Sequence, residues 1–215
     1  MRTSTIKRAA ALGAAALIGA TALAAAPAAN AATGNNSLAS VLGVGDKAGF
    51  DSVGTDYDVV TAAAEAVLGA KPDSAVGLLA DGKVALTAFI PNDRAFEILA
   101  SQLSGKTVTD EEAAFKVVAG LGIDTVETVL LYHVVPGKAI PAAAALKANG
   151  AKLQSAVDGK VIRVKVTSKP AIILGDYAPT LSNPRVILSQ TNINKGNKQI
   201  AHGINRVLLP INPAA

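Results

Sequence analysis

Residues 124–137 change from a helical to an extended pattern, and this change constrains the fold more than any other feature of the sequence. Asp124 and Glu127 have the spacing of a capping box, which predicts that a helix begins at Asp124. Four residues then recur at the spacing of one helical face: Val126, Val129, Leu130 and His133. Pro136 disfavours the helical conformation at the residue before it. The segment is therefore predicted to be a helix that leads directly into an extended strand.

The N-terminal residues 1–31 predict a secretory signal peptide. Three basic residues precede an uncharged, alanine-rich run at 9–26, and small residues at Ala29 and Ala31 predict cleavage after Ala31. The alternative is a retained membrane anchor, although the run is rich in alanine and glycine rather than leucine. We therefore expect a secreted, extracellular protein with no stable membrane insertion after cleavage.

Cleavage changes what the charge of the chain implies. The full sequence has 20 basic and 16 acidic residues, and three of the basic residues lie before the cleavage site. The remaining chain has 17 basic and 16 acidic residues, so its net charge is +1. With three tyrosines, four phenylalanines and no tryptophan, it also has few rings on which bases can stack. We expect no nucleic-acid partner.

Two further features define the predicted domain. Because the chain has no cysteine, its fold must be stabilised by a hydrophobic core, and thiol catalysis and cysteine-bound zinc are excluded. Residues 32–55 are rich in Gly, Asn, Ser and Asp and predict a flexible linker, whereas residues 56–212 predict one domain. Helical periodicity dominates the first half of that domain and strand-like patterns the second half, which indicates an α+β fold.

The predicted strands are short apolar or alternating runs bounded by turn residues. They are residues 84–90, 162–167, 171–174, 186–190, 198–202 and 204–208. Asp158 and Gly159 precede the second of these runs and predict a hairpin turn there.

Three separated segments together resemble the fasciclin (FAS1) domain family. They are T-A-F-I-P-N-D-R-A-F at 87–96, L-L-Y-H-V-V-P-G at 130–137 and I-A-H-G-I-N-R-V-L-L-P at 200–210. Their order and spacing are similar to those of the family, so the resemblance covers about residues 56–210. The sequence departs from the family pattern at three positions, where a threonine, a branched residue and an aspartate are usual: Asn92, Gly203 and Asn205.

The resemblance implies a fasciclin-like β-sandwich or wedge with helices packed on one side. It also implies a non-enzymatic protein, like bacterial secreted single-domain members, that mediates cell adhesion or binds extracellular proteins, matrix or cell-surface components. Tyr132 and His133 match the Tyr-His motif through which some members are held to engage integrins, so they are candidate protein-binding residues. The alternative is that His133 is buried and hydrogen-bonded at the junction of helix and strand, which its apolar helix face favours.

Other chemistry has weaker support in the sequence. A metal site formed by His133 and His202 would need further groups that the sequence does not indicate. The G-x-x-x-x-G-K match at 77–83 is followed by Val84 where phosphate binding needs Ser or Thr, and there is no G-x-S-x-G motif. We expect no enzymatic activity, cofactor or metal. The alternative function is a carrier of a small apolar ligand, in a pocket that the many alanines would leave between helices and sheet.

Overall fold

The computed structural model describes residues 33–46, 49–169 and 171–212. The helices are α1 (Leu38–Val41), α2 (Asp58–Ala70), α3 (Asp93–Ser104), α4 (Glu111–Ala119), α5 (Ile123–Tyr132) and α6 (Ala142–Ala145), with 3-10 helices at Ala75–Ala80 and Leu188–Gln190. The strands are β1 (Leu86–Pro91), β2 (Val134–Pro136), β3 (Lys152–Gln154), β4 (Val161–Val166), β5 (Ile172–Gly175) and β6 (Gln199–Ile204). None of the helices in the described residues has the length and hydropathy of a membrane span. The predicted signal peptide lies outside the described residues.

The strands form two sheets of three strands each. In the first sheet β1 lies between β2, which is antiparallel to it, and β6, which is parallel to it. The second sheet is antiparallel, with the order β3-β4-β5. The α+β prediction is confirmed. Strand β1 is central because it pairs with a strand on each side, and both of these strands come from later parts of the chain.

Strand β1 is buried on both faces, and its alternation separates two cores. On one face Phe89 packs with Ile162 and Leu174 of the second sheet, so the two sheets share an interior. On the other face Leu86 and Ile90 lie in a core that faces the helices. This second core adjoins the core of α2–α5 through two side chains that contact both: Val60 and Leu79. The predicted sandwich with helices on one side is therefore confirmed.

Four of the six predicted strands are present, at β1, β4, β5 and β6. The prediction at 186–190 is wrong, because Val186 makes a single bridge to Ile204 and Leu188–Gln190 is a 3-10 helix. The prediction at 204–208 is also wrong, because β6 ends at Ile204. Leu208 then donates its backbone N–H to a histidine ring rather than to a neighbouring strand.

The prediction of a flexible linker at 32–55 is wrong for the described part of that segment. Leu38 in α1 is fully buried, and its backbone N–H donates to Oε1 of Gln199 at 2.7 Å. The Gln199 amide also donates to the carbonyl oxygens of Leu78 and Asp81, at 2.8 and 2.9 Å. The buried side chain of Gln199, with its oxygen and its nitrogen both hydrogen-bonded, thus attaches the segment to the domain. The amino-acid composition of the segment does not reveal this attachment.

We predict that Gly82→Ala releases this N-terminal segment. A Cβ at Gly82 would overlap the backbone carbonyl of Asn35, so the segment 33–46 must move. Overpacking of this kind costs about 1–3 kcal/mol, which corresponds to an increase of roughly 5- to 150-fold in the population of the open form. Limited proteolysis with mass spectrometry should show faster cleavage within 33–46.

The matched control is Gly77→Ala, because a Cβ there makes an ordinary 3.8 Å contact with Leu68. Cleavage within 33–46 should stay at the wild-type rate in this variant. Equal cleavage of both variants would contradict the packing of the segment.

Candidate functional site

The structure confirms the helix-to-strand change that the sequence predicts. Tyr132 is the last residue of α5, His133 follows in helical conformation, and β2 begins at Val134. We call Tyr132 and His133 the Tyr-His junction.

The predicted capping box at the start of this helix is wrong. Helix α5 begins at Ile123 after Gly122, with no side-chain cap. Glu127 instead bonds Nζ of Lys71 and Oγ of Ser74, both at 2.5 Å, and Asp124 also pairs with Lys71. These contacts join α5 to the end of α2, and hydrogen bonds and charge together keep the pKa of Glu127 below its usual value.

Tyr132 lies in the shared interior of the two sheets. Its side chain is fully buried, and its Oη donates to the carbonyl oxygen of Val161 at 3.0 Å. Its ring meets that of Tyr177 edge-on, with centroids 6.1 Å apart. Burial, and then the carboxylate of Asp176, raises the pKa of the Tyr132 phenol well above its usual value. Tyr132 therefore stabilises the interior by packing and by one hydrogen bond, and its side chain is not exposed to solvent.

His133 is 5% exposed, and both of its ring nitrogens have backbone partners. Nδ1 lies 2.7 Å from the carbonyl oxygen of Val129, and Nε2 lies 2.9 Å from the backbone nitrogen of Leu208. A carbonyl only accepts and a backbone N–H only donates, so these partners assign the proton to Nδ1. Burial lowers the pKa of His133 to about 4, although the bond to Val129 opposes this shift.

His133 joins all three of the signature segments. Its carbonyl oxygen accepts the N–H of Phe89, in the segment 87–96, at 3.0 Å. Its Nε2 accepts the N–H of Leu208, in the segment 200–210. One residue therefore holds β1, the end of α5 and the chain after β6 in register. The three segments meet in one interior.

These positions correct the interpretation of Tyr132 and His133 as protein-binding residues. Neither side chain reaches the surface, so neither offers a contact to a partner in this structure. The alternative, a hydrogen-bonded histidine at the junction of helix and strand, agrees with the geometry.

His202 is also buried and occupied at both ring nitrogens. Its Nε2 donates to the carbonyl oxygen of Ile140 at 2.8 Å, and its Nδ1 accepts the N–H of Asn192 at 3.3 Å. Its tautomer is therefore the opposite of that of His133. Burial lowers the pKa of His202 as well. With every ring nitrogen engaged, the two histidines do not form a metal site.

The structure brings together five acidic residues that the sequence does not single out. They form two overlapping groups, Asp51, Asp56 and Asp58, and Asp56, Asp93 and Glu111. We call all five the acidic cluster. Within each group, one carboxylate oxygen of each residue lies within 4.8 Å of those of the other two residues. Asp51, Asp56 and Asp58 are close together in the sequence, which could have indicated a shared site. They lie near the end of the segment that was predicted to be a flexible linker.

Asp93 and Glu111 are the buried members of the acidic cluster, at 0% and 1% exposed. The carboxylate of Asp93 accepts the backbone N–H groups of Asp58 and Val59, at 3.2 and 2.7 Å, and so caps α2. Burial, and then a hydrogen bond with Asp56, raises the pKa of Asp93 above its usual value. The hydrogen bond between these two carboxyl groups requires one proton, which the raised pKa of Asp93 favours.

An apolar cavity of about 220 Å³ lies among the helices and the chain after β6. Its lining includes Ala63, Phe96, Val118, Val126, Leu130 and Leu209. A shallower groove of about 240 Å³ shares with it Thr125, Val129 and Ile211. The sequence predicted a pocket between helices and sheet, and a small apolar pocket of about 40 Å³ lies there, between α2 and β1. The larger cavity lies within the helical layer.

Gly203 departs from the family pattern for a reason that the structure shows. A Cβ there would lie 2.5 Å from Oη of Tyr57 and 2.7 Å from Oε1 of Gln190. We predict that Gly203→Ala lowers the free energy of unfolding by about 1–3 kcal/mol, because both side chains must move. Urea unfolding measures this loss. Gly175→Ala, where a Cβ would lie 3.4 Å from Cβ of Arg163, should cost clearly less, and equal losses would contradict the steric reason.

Comparisons with known proteins identify a matching family and a similar solved structure. A family model described as the fasciclin domain matches residues 70–210, which include all of the Tyr-His junction and the last signature segment. A search of curated proteins finds no match. One solved structure that matches is a FAS1 domain pair from the insect cell adhesion molecule fasciclin I, at 15% identity and a TM-score of 0.45. The match covers 62% of this chain and 42% of the insect chain.

Proposed function

The chain belongs to the fasciclin domain family, and we propose on that basis that it is a secreted, non-enzymatic protein that mediates cell adhesion or binds extracellular proteins or matrix. The family match over residues 70–210 is the observation that carries this proposal. The predicted signal peptide at 1–31 supports export.

The interior of the domain supports a binding role rather than catalysis. Proton transfer by histidine needs a ring nitrogen within reach of a substrate. In His133 and His202 both nitrogens are bonded to backbone groups, and both side chains are buried. Partner contacts must therefore come from surface residues that the Tyr-His junction positions indirectly.

Secretion is tested on protein recovered from the culture medium of the source cell. N-terminal sequencing should begin at Ala32, because cleavage is predicted after Ala31. Protein that remains on the cells with residues 1–31 intact would contradict export by cleavage.

Adhesion is tested with beads that carry the folded protein. We expect the source cells, or their extracellular matrix, to be retained in a saturable way that free protein competes. Beads with thermally unfolded protein serve as the control. Equal retention on both kinds of bead, or no retention on either, would contradict the adhesive function.

The apolar cavity favours a second function, the carriage of a small apolar ligand. An apolar cavity of about 150 Å³ is known to bind benzene, so about 220 Å³ admits a ring with a short alkyl group. Ala63→Leu would fill part of the space, whereas Ala119→Leu adds the same group at an exposed position of α4. Toluene should raise the Tm of the wild type and of Ala119→Leu but not that of Ala63→Leu. No shift in any protein would contradict the carrier function.

A further inference from the structure

We propose that Asp56, Asp93 and Glu111 bind one Ca²⁺ ion, which joins the starts of α2, α3 and α4. The inference is independent of the adhesive function, and it replaces the sequence-based expectation that the protein has no metal site. It rests on the geometry of the three carboxylates, on two buried oxygens without partners and on the balance of charge.

The first observation is that buried oxygens in the acidic cluster lack partners. Oε2 of Glu111 accepts the backbone N–H of Asp51 at 2.8 Å, but Oε1 is buried without a hydrogen-bond partner. Oδ1 of Asp56 is likewise buried and unpaired. An unsatisfied buried acceptor is destabilising, and more so when it is charged. The same two residues form a group with Asp93 in which one carboxylate oxygen of each lies within 4.8 Å of the others, so one ion can contact all three carboxylates.

The second observation is that the acidic cluster lacks counter-charges. Over residues 33–46, 49–169 and 171–212, none of its five carboxylates forms an ion pair with a lysine or arginine. Asp58, Asp93 and Glu111 are the first residues of α2, α3 and α4, so three helix dipoles point their positive ends here. The hydrogen bond between Asp56 and Asp93 requires one proton, so at most four of the five carboxyl groups are charged. Each N-terminus supplies about half a positive charge, so the three together offset roughly one and a half of these negative charges. A divalent ion supplies most of the remainder.

The donor set selects the kind of ion. All the ligands are carboxylate oxygens, which suit hard cations rather than zinc or copper. Mg²⁺ requires a nearly regular octahedron, whereas Ca²⁺ accepts irregular sets of six to eight oxygens. Three carboxylates from separate helix starts, completed by water, therefore fit Ca²⁺ better.

Bound Ca²⁺ would stabilise the chain that enters the domain. Asp51 and Asp56 lie before α2, and backbone bonds from Asp93 to Asp56 and from Arg94 to Gly54, at 3.2 and 2.9 Å, already hold this stretch on α3. The ion would add a link from the same stretch to Glu111 on α4. Since only the folded chain brings these three oxygens together, binding would raise stability.

Calorimetric titration of the EGTA-treated protein with CaCl₂ tests the proposal. We expect one ion per chain with a Kd of about 10⁻⁴–10⁻³ M, the range of extracellular Ca²⁺ modules. At a hundredfold excess over Kd the Tm should rise by roughly 5–10 °C. Glu111→Gln keeps the shape of the side chain but should weaken binding at least about tenfold.

The matched control is Glu112→Gln, one residue along the same helix, where the glutamate is exposed and pairs with Lys116. This variant should bind Ca²⁺ like the wild type. Absence of binding up to about 10 mM, which would mean that shared protons alone balance the cluster, overturns the proposal. Equal affinity of the two variants also overturns it.

A luminescence measurement locates the ion even if Glu111→Gln does not fold. Tb³⁺ replaces Ca²⁺ and emits when a nearby tyrosine is excited. Tyr57 lies between Asp56 and Asp58, and burial, with the carboxylates of Asp93 and Asp56, raises its pKa to about 12. Ca²⁺ should displace the Tb³⁺ signal, and Tyr57→Phe should remove most of it. A full signal in Tyr57→Phe would place the ion elsewhere and overturn the proposal.

Discussion

Tyr132→Ala is expected to lower the free energy of unfolding by about 3–5 kcal/mol, the largest effect that we predict for a single substitution. The side chain is fully buried among residues of both sheets, so its removal leaves a cavity where β1, β4 and β5 share their interior. A domain of this kind has a total stability of about 5–15 kcal/mol, so a marginal protein would be largely unfolded. Denaturant unfolding, followed by circular dichroism, measures the loss.

Tyr132→Phe is the matched control, because it keeps the ring and removes only the hydrogen bond to Val161. It should cost about 1–2 kcal/mol. If Tyr132→Ala were as stable as Tyr132→Phe, the ring would not be a packing element. Tyr132 would then again be a candidate for contact with a partner.

Acid is expected to destabilise the protein through His133, by roughly 3 kcal/mol between pH 7.5 and pH 4. The pKa of this imidazole is about 4 in the folded protein and near 6.5 in the unfolded chain. Above pH 6.5 both states are neutral and stability does not depend on this group. As the pH falls from 6.5 to 4 the unfolded chain takes up the proton and the folded one does not, so stability falls. Burial is the cause of the low pKa. To bind a proton, Nε2 would also have to lose the N–H of Leu208.

His133→Gln separates this effect from those of other titrating groups. A glutamine amide both donates and accepts, so it can partly replace the bonds to Val129 and Leu208. His202 and the carboxyl groups titrate equally in both proteins and cancel in the comparison. The difference in stability between wild type and variant should shrink by roughly 3 kcal/mol from pH 7.5 to pH 4. Parallel pH profiles would contradict the buried, neutral state of His133.

The sequence predicted the fold where local pattern and tertiary structure agree. Alternation in β4 and the apolar run of β1 correspond to their burial in the structure. The change from helix to strand at His133 was also predicted, because a proline follows it closely. The predictions failed where contacts with residues far along the chain determine the local structure. Residues 33–46 are held by Gln199, and Val186 finds only one strand partner.

In the candidate sites, too, the sequence predicted the features that depend on local pattern and missed those that depend on distant residues. Helical spacing placed His133 on an apolar face and so indicated its burial, but the acceptor role of its Nε2 depends on Leu208, far along the chain. The acidic cluster was missed because its members come from three separated stretches, and each taken alone has the pattern of a helix cap. Single-sequence patterns identify caps one at a time and do not show that three helix starts meet.

The proton positions on the two histidines test most directly the claim that His133 is the interior link between the three signature segments. The chain has two histidines, so ¹⁵N–¹H correlation spectra of the rings are simple to assign. At pH 7.5 both should be neutral, with the proton of His133 on Nδ1 and that of His202 on Nε2. A His133 ring that titrates near pH 6.5, or that carries its proton on Nε2, would contradict the claim.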